Sequence, residues 1–163
     1  MRYLFVPFMF IAINIYAPTL DQEEQRNARM EEEMRRIERE KRIDLLLEAI
    51  RIVESGGVYD TKGASGEYGA YQFTKPTWRM YSYLYFREIL DMTPENQDKV
   101  ARRKVEKLVD NGFSDKEIAS FWNSGRRDWR GRVGVNQWGV RYDVPNHVRK
   151  VDSVLTKIRG DET

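Results

Sequence analysis

The sequence contains no cysteine and a single histidine, His147. Without cysteine the chain has neither a disulfide framework nor a thiolate metal site. A zinc hydrolase usually presents two histidines one helical turn apart, and a single histidine does not supply that pair. The Gly-x-Ser-x-Gly turn of serine hydrolases is missing as well. We therefore expect no metal and no other cofactor.

An excess of charge of one sign is also lacking. Lys and Arg number 28 and Asp and Glu number 26, which leaves a formal net charge of +2. Because the basic residues are scattered along the chain rather than clustered, we do not expect nucleic-acid binding. The length of 163 residues is enough for one domain with a buried core and extensions.

Residues 1–17 form an apolar run behind a basic start at Arg2. The run is shorter than a membrane-spanning helix requires and closes on the small residue Ala17, which is typical of a secretory signal. Pro18 is a poor residue to follow a cleavage site, so we predict either a signal peptide or an uncleaved N-terminal anchor. Both alternatives predict an exported protein on the periplasmic or extracellular side, and the anchor would also hold it at a membrane.

Residues 18–44 are dominated by charge, with a Glu31-Glu32-Glu33 block followed by Arg35-Arg36. Opposite charges recur three or four residues apart, a spacing that stabilises an isolated helix. Met30, Met34 and Ile37 form a thin apolar stripe that is too short for a coiled coil. We therefore predict a solvated helical stalk, and we expect a membrane or an envelope-assembly partner to engage residues 1–44.

Glu54 stands at the end of an apolar helical run, residues 43–54, immediately before Ser55-Gly56-Gly57. A double glycine after such a run stops a helix. The carboxyl group then faces the negative end of the helix dipole, and burial beside Val53 would raise its pKa further. A carboxyl group that stays protonated near neutral pH can act as a general acid on a glycosidic bond. The alternative is an ordinary solvated glutamate in a last turn.

Cap residues predict where the other helices begin and end. The starts are marked by a proline or a capping box, at Pro76, Thr93-Pro94, Ser114 with Glu117, and Pro145. A helix that carries Trp122 is predicted to end near Gly125. Residues 58–73 hold glycines among aromatic residues and β-formers, which predicts an irregular or β-like flap.

Four segments together resemble the lysozyme-like catalytic domain of lytic transglycosylases of the soluble-transglycosylase (SLT) type. They are Glu54-Ser55, Gly69-Ala70-Tyr71-Gln72-Phe73, Trp122-Asn123-Ser124-Gly125 and His147-Val148. In order, they are similar to the family's Glu-Ser helix end, its Gly-Leu-Met-Gln-Ile turn, its Tyr-Asn-x-Gly helix end and its terminal Tyr-Val helix. The resemblance covers about residues 45–158, most of the chain.

This resemblance implies a mainly α fold of the α+β lysozyme-like kind. A helical catalytic domain over residues 45–160 would follow the stalk, with the flap beside a groove and Glu54 at its floor as catalytic acid and base. The resemblance and the neighbouring side chains give the candidate substrate-binding residues Ser55, Ser65, Tyr71, Gln72, Phe73, Trp122, Asn123, Tyr142 and His147. His147 departs from the family, which places a tyrosine hydroxyl near the catalytic carboxyl, and Tyr142 is the candidate to replace that hydroxyl.

The resemblance implies cleavage of the β-1,4 bond between N-acetylmuramic acid and N-acetylglucosamine in peptidoglycan, with closure of a 1,6-anhydro ring. The first alternative is a muramidase, in which a second carboxylate holds a water, and the candidates are Asp60, Glu67, Asp128 and Asp143. A second alternative is an inactive wall-binding module, favoured by the departure at His147. A third is a membrane-tethered structural protein that acts through its stalk. A bacterial protein and a virion-associated phage protein both fit these expectations.

Overall fold

The computed structural model describes residues 20–135 and 139–161. The described residues form five helices and two short strands: α1 Leu20–Ser55, α2 Lys75–Phe86, α3 Pro94–Asp110, α4 Asp115–Ser124, β1 Val133–Val135, β2 Arg141–Asp143 and α5 Val144–Gly160. The prediction of a mainly α fold is confirmed. The predicted export signal at residues 1–17 lies outside the described residues. Within the described ranges, no helix has both the length and the apolar character needed to cross a membrane.

The chain divides into two compact units, Met1–Ile37 and Glu38–Thr163, and α1 contributes to both. In the first unit α1 is described from Leu20, and its apolar side chains stay in solvent: Met30 is 56%, Met34 54% and Ile37 58% exposed. Arg35 pairs with Glu31 and Arg36 with Glu33, three or four residues apart. The second unit begins at Glu38, so it includes the last residues of the segment predicted as a stalk.

The core of the second unit is built from the apolar stripes of its helices. Residues three or four apart point to the same side of a helix, so each helix buries one face. The buried residues of these stripes include Ile43, Leu46 and Ile50 from α1, Val100 and Val105 from α3, Ile118 from α4, and Val151 and Leu155 from α5. The end of α1 that carries Glu54 is thereby fixed against the rest of this unit.

The predicted helix starts are present, at Pro76, Thr93-Pro94, Ser114 and Pro145. Thr74, Thr93 and Ser114 are the N-caps of α2, α3 and α4, and each side chain accepts a hydrogen bond from a backbone N–H in the first turn. Ser114 and Glu117 complete the capping box. These caps satisfy backbone donors that the helix starts would otherwise leave without partners.

The flap, residues 58–73, contains no regular strand and is held by isolated bridges of Tyr68 with Lys62 and with Phe73. Its attachment to the helices depends on Gln97 of α3, which is buried. The Gln97 side chain accepts a hydrogen bond from Ala70 N at 2.7 Å and donates to Tyr59 O at 3.1 Å. Gly69 has a φ of +86°, and a Cβ atom there would overlap the Gln97 amide. Gly69 therefore allows the flap to lie directly on α3.

β1 and β2 form an antiparallel pair that the sequence did not predict. Val133 pairs with Asp143 and Gly134 with Tyr142. Asp143 also caps α5, because its side chain accepts a hydrogen bond from Asn146 N at 2.9 Å. The hairpin thus leads directly into the helix that carries His147.

Candidate functional site

Glu54 is the penultimate residue of α1, and Gly56, with a φ of +67°, follows the helix end. Its side chain is 17% exposed and lines a cavity of about 350 Å³. The other described residues that line this cavity are Gly63, Ala64, Ser65, Glu67, Tyr71, Gln72, Phe73, Thr74, Thr77, Lys104, Trp122, Asn123 and Val140. Three of the four segments that resemble the SLT family therefore meet at one cavity.

The carboxyl group of Glu54 is poorly solvated. Burial raises its pKa from the ordinary 4.5 to about 7, opposed by the positive charge of Lys104 and reinforced by the negative charge of Glu67. The direction agrees with the one expected from the sequence, and its main cause is desolvation. Near neutral pH the carboxyl group is therefore present in both its protonated and its ionised form.

His147 lies beside Glu54 on the first turn of α5. Its Nε2 is 3.7 Å from Glu54 Oε1, and its side chain is 10% exposed. Burial, together with the nearby Lys150, lowers the pKa of His147 to about 4, so the ring is neutral at pH 7. Its Nε2 is buried and has no hydrogen-bond partner among the described residues. The fourth segment of the resemblance thus places a neutral ring against the carboxyl group.

Tyr142, the expected replacement for the missing phenol, is not brought to this cavity. It lies on β2, is 41% exposed, and its ring covers Gly134 of β1. It is not among the described residues that line the cavity. Tyr142 therefore does not take the place of the missing phenol at this cavity.

Ser55 and Gln72 hold the flap in place. Ser55 Oγ lies 2.9 Å from Ala70 O, and it accepts hydrogen bonds from Gly57 N and Val58 N. Gln72 has a left-handed φ of +49°, and its Nε2 donates to Gly69 O at 2.8 Å. Ser55 therefore fixes the end of α1 against the flap. Gln72 holds the turns of the flap together and also reaches the cavity wall.

The predicted sugar-contacting aromatic residues form a packed wall. Tyr71 is 3%, Phe73 2% and Trp122 9% exposed, and their ring centroids lie 5.4–6.4 Å apart. Tyr71 Oη donates a hydrogen bond to Asp98 at 2.9 Å. Trp122 Nε1 donates to Tyr71 O at 3.4 Å. These residues shape the cavity from within the core and leave little of their surface to a ligand.

Ser65 and Asn123 line the cavity and are themselves exposed, Ser65 on the flap and Asn123 on the last turn of α4. Among the four carboxylates considered for a second role, Glu67 lines the cavity and accepts a hydrogen bond from Ser65 N at 2.9 Å. Asp143 caps α5, and Asp128 pairs with Arg130. Asp60 is also absent from the described residues that line the cavity, so Glu67 is the second carboxylate that this lining offers.

Lys104 is a member of the site that sequence reasoning missed. It lies on α3, is 4% exposed and lines the cavity. Its Nζ is 3.9 Å from the centroid of the Trp122 ring, 4.9 Å from Tyr81 and 5.9 Å from Phe73. Burial lowers its pKa to about 7, and the nearby Glu54 opposes that shift. The sequence did contain a signal for this burial, because Lys104 lies within the apolar stripe of α3, between Ala101 and Leu108.

The described residues include no group of three or more His, Asp or Glu side chains arranged to hold a metal ion. The charged side chains that line the cavity are Glu54, Glu67 and Lys104, and His147 lies beside Glu54. No protein-family model, curated protein or solved structure was found to match this chain.

Proposed function

We propose that this protein is a peptidoglycan lytic transglycosylase, with a lysozyme-like domain over residues 45–160. The observation that carries the proposal is Glu54 itself, a carboxyl group in the wall of a cavity with a pKa of about 7. A single group that must both give and accept a proton works best when its pKa lies near the operating pH. The resemblance of four segments to the SLT family indicates peptidoglycan as the substrate.

Protonated Glu54 donates its proton to the glycosidic oxygen between N-acetylmuramic acid and N-acetylglucosamine. As the bond from C1 to this oxygen breaks, the substrate's own acetamido oxygen shelters the positive charge at C1. The Glu54 carboxylate then accepts the proton of the muramyl 6-hydroxyl while that oxygen bonds to C1. The products are a chain ending in a 1,6-anhydro ring and a released N-acetylglucosamine end, and Glu54 is protonated again.

His147 supports this cycle as a neutral neighbour of the carboxyl group. Its Nε2 lies 3.7 Å from Glu54 Oε1, and in the resemblance His147 aligns with a tyrosine whose hydroxyl lies near the catalytic carboxyl. A neutral imidazole adds no charge beside the carboxyl group, and it could donate to or accept from that group once the two atoms approach to hydrogen-bond distance. His147 would therefore orient Glu54 in both halves of the reaction.

The test is mass spectrometry of the fragments that the purified full-length chain releases from peptidoglycan in water enriched in ¹⁸O. A transglycosylase yields 1,6-anhydromuramic ends without ¹⁸O, and Glu54→Gln abolishes them. Glu67→Gln, at the same cavity, is the matched control and keeps the anhydro product. Fragments with ¹⁸O-labelled reducing ends would overturn the transglycosylase mechanism.

Hydrolysis by a muramidase is the second candidate, and Glu67 at the cavity favours it. An inverting hydrolase needs a carboxylate to activate a water on the far side of the sugar ring. In that case both Glu54→Gln and Glu67→Gln would stop the release of labelled fragments. Binding to peptidoglycan without release of any fragment would instead support an inactive wall-binding module.

Export and membrane attachment through residues 1–44 belong to the same proposal. A peptidoglycan-cleaving enzyme must reach the wall, and the basic start and apolar run of residues 1–17 are typical of a secretory signal. The test is expression of the full chain in a bacterium, followed by fractionation and mass measurement of the mature N-terminus. Recovery of the intact chain from the cytoplasm alone would contradict export.

A further inference from the structure

Lys104 is enclosed by aromatic rings inside the cavity wall. Its ammonium group lies over Trp122 of α4, with Tyr81 of α2 and Phe73 of the flap at 4.9 Å and 5.9 Å from their ring centroids. We call these three rings the cage. Aromatic faces attract a cation, and the attraction strengthens as water is removed. The cage therefore holds the lysine head group at a fixed place beside the cavity.

Charged and titratable groups reach this region from each element packed around it. Glu54 comes from α1, Glu67 from the flap and Lys104 from α3, and all three line the cavity. His147 of α5 lies 3.7 Å from Glu54, and Lys150 lines a neighbouring pocket together with His147. Lys104 is the cation that shares the cavity with Glu54 among the described residues.

We propose that Lys104 is a positioning residue for Glu54: its caged ammonium group stabilises the carboxylate that Glu54 becomes when it gives up its proton. The proposal rests on the function proposed above for Glu54. Lys104 is not required to touch the glycan, and it acts through the charge that it places beside the carboxyl group.

Electrostatics explain why a desolvated carboxyl group needs such a neighbour. Burial and the negative charge of Glu67 both disfavour the ionised form of Glu54, while Lys104 favours it. Without the lysine, the carboxyl group would hold its proton more tightly and would be a weaker acid towards the glycosidic oxygen. With it, one group can serve as acid and as base within a single cycle.

The interaction between two charges is reciprocal, which gives a sharp test. Removing Lys104 must raise the titration midpoint of Glu54 by the same amount as removing Glu54 lowers the midpoint of Lys104. We therefore propose NMR titrations of full-length protein carrying ¹³C in its Glu and Lys side chains. Glu54→Gln and Lys104→Met provide the assignments, and Lys99→Met, an exposed position on the same helix, is the matched control.

The expected result is a Glu54 midpoint that rises by about one pH unit or more in Lys104→Met and stays in place in Lys99→Met. The Lys104 midpoint should fall by an equal amount in Glu54→Gln. An unchanged Glu54 midpoint in Lys104→Met would overturn the proposal. If Lys104→Met does not fold, the Lys104 titration in Glu54→Gln decides, and an unchanged lysine midpoint there also overturns it.

The pH dependence of anhydro-product release adds a second readout. Activity requires protonated Glu54, so the fall in rate on the alkaline side should move to higher pH in Lys104→Met. Release of anhydro products without a reciprocal shift of the two titration midpoints would support the proposed enzyme activity and reject the role of Lys104. A reciprocal shift without any products would reject the reaction and leave the coupling of the two side chains standing.

Discussion

At the scale of single residues, the buried Glu54 makes the stability of the fold depend on pH. The pKa of Glu54 is about 7 in the folded protein and 4.5 in its ordinary state, so the folded state binds the proton more tightly. Stability from this group is fully present below about pH 4.5 and is lost as the pH rises through 7. Above pH 7 the folded chain carries a buried carboxylate.

Glu54→Gln is therefore expected to stabilise the protein most at alkaline pH. The gain over the native chain should be small at pH 5 and should reach about 1 to 3 kcal/mol at pH 8, because the amide carries no charge to desolvate. Urea unfolding of both proteins at the two pH values measures the difference. A gain that is equal at pH 5 and pH 8 would contradict this account.

Substitution of His147 can separate the contribution of its ring from that of its nitrogen atoms. His147→Phe keeps a ring of similar size but removes the polar atom that lies 3.7 Å from Glu54 Oε1. We expect the initial rate of fragment release to fall roughly tenfold or more, as when one oriented polar group is removed from an active site. His147→Tyr, which supplies the hydroxyl of the SLT family, should keep more activity than His147→Phe. Equal rates for the two variants would show that the ring alone matters.

The position of Glu54 at a helix end followed from the sequence, whereas the burial of Lys104 did not. Glu54 was marked locally, by an apolar helical run and a double glycine within a few residues. The burial of Lys104 depends on Trp122 and Tyr81, which belong to other helices and are distant in sequence. A lysine within an apolar stripe reads as a solvated interruption until the rings that cover it are known.

At the scale of elements, the junction between the flap and α3 depends on one glycine. Gly69 and Gly66 both have left-handed φ values, +86° and +88°. A Cβ at Gly69 would overlap the Gln97 amide, whereas a Cβ at Gly66 would meet no atom within 4 Å. A side chain at either position would strain the backbone, because φ is positive at both. Only at Gly69 would the added atom also collide with a neighbouring side chain.

Gly69→Ala is therefore expected to destabilise the fold more than Gly66→Ala. Each should lose about 1 kcal/mol from backbone strain. Gly69→Ala should lose a further 1 to 3 kcal/mol, because Gln97 must move and leave buried polar groups without partners. Thermal unfolding of the two variants measures the difference, and equal losses would contradict the role given to Gln97.

Elements with local signals were predictable, and those without them were not. The starts of α2, α3 and α4 followed from Pro76, Thr93-Pro94 and the capping box of Ser114 with Glu117, since these signals act within a few residues of themselves. The strands β1 and β2 are three residues long and pair across residues 136–140, too short for an alternating pattern to show. Without that hairpin the direction of Tyr142 could not be predicted, which explains why it was expected near Glu54.

At the scale of the whole molecule, the first unit and the second differ in how much of their apolar side chains they bury. The apolar side chains of α1 before Glu38 are more than half exposed, whereas Ile43 is fully buried. Removing residues 1–37 is therefore expected to leave the unfolding temperature of the second unit within about 2 °C, because no described core contact is lost. Ile43→Ala, as the control, should lose about 2 to 5 kcal/mol.

Scanning calorimetry of the chain with and without residues 1–37 makes this measurement. A fall of several degrees would show that the second unit depends on the first for its stability. An unchanged temperature, with anhydro products retained, would assign residues 1–37 to location rather than to catalysis. Loss of wall cleavage in cells with unchanged cleavage in solution would then match the predicted export signal together with the stalk, since this deletion removes residues 1–17 and most of residues 18–44.

The indole of Trp122 carries the ammonium group of Lys104 on its face, 3.9 Å from the ring centre. Light absorption moves electron density within an indole, so a charge at this place shifts the wavelength of the indole's fluorescence emission. If Trp78, Trp129 and Trp138 were replaced by phenylalanine, Trp122 would be an intrinsic fluorescent probe of the charge on Lys104 beside Glu54. Its spectrum would follow proton movement at the cavity during glycan binding, in solution and without any added label.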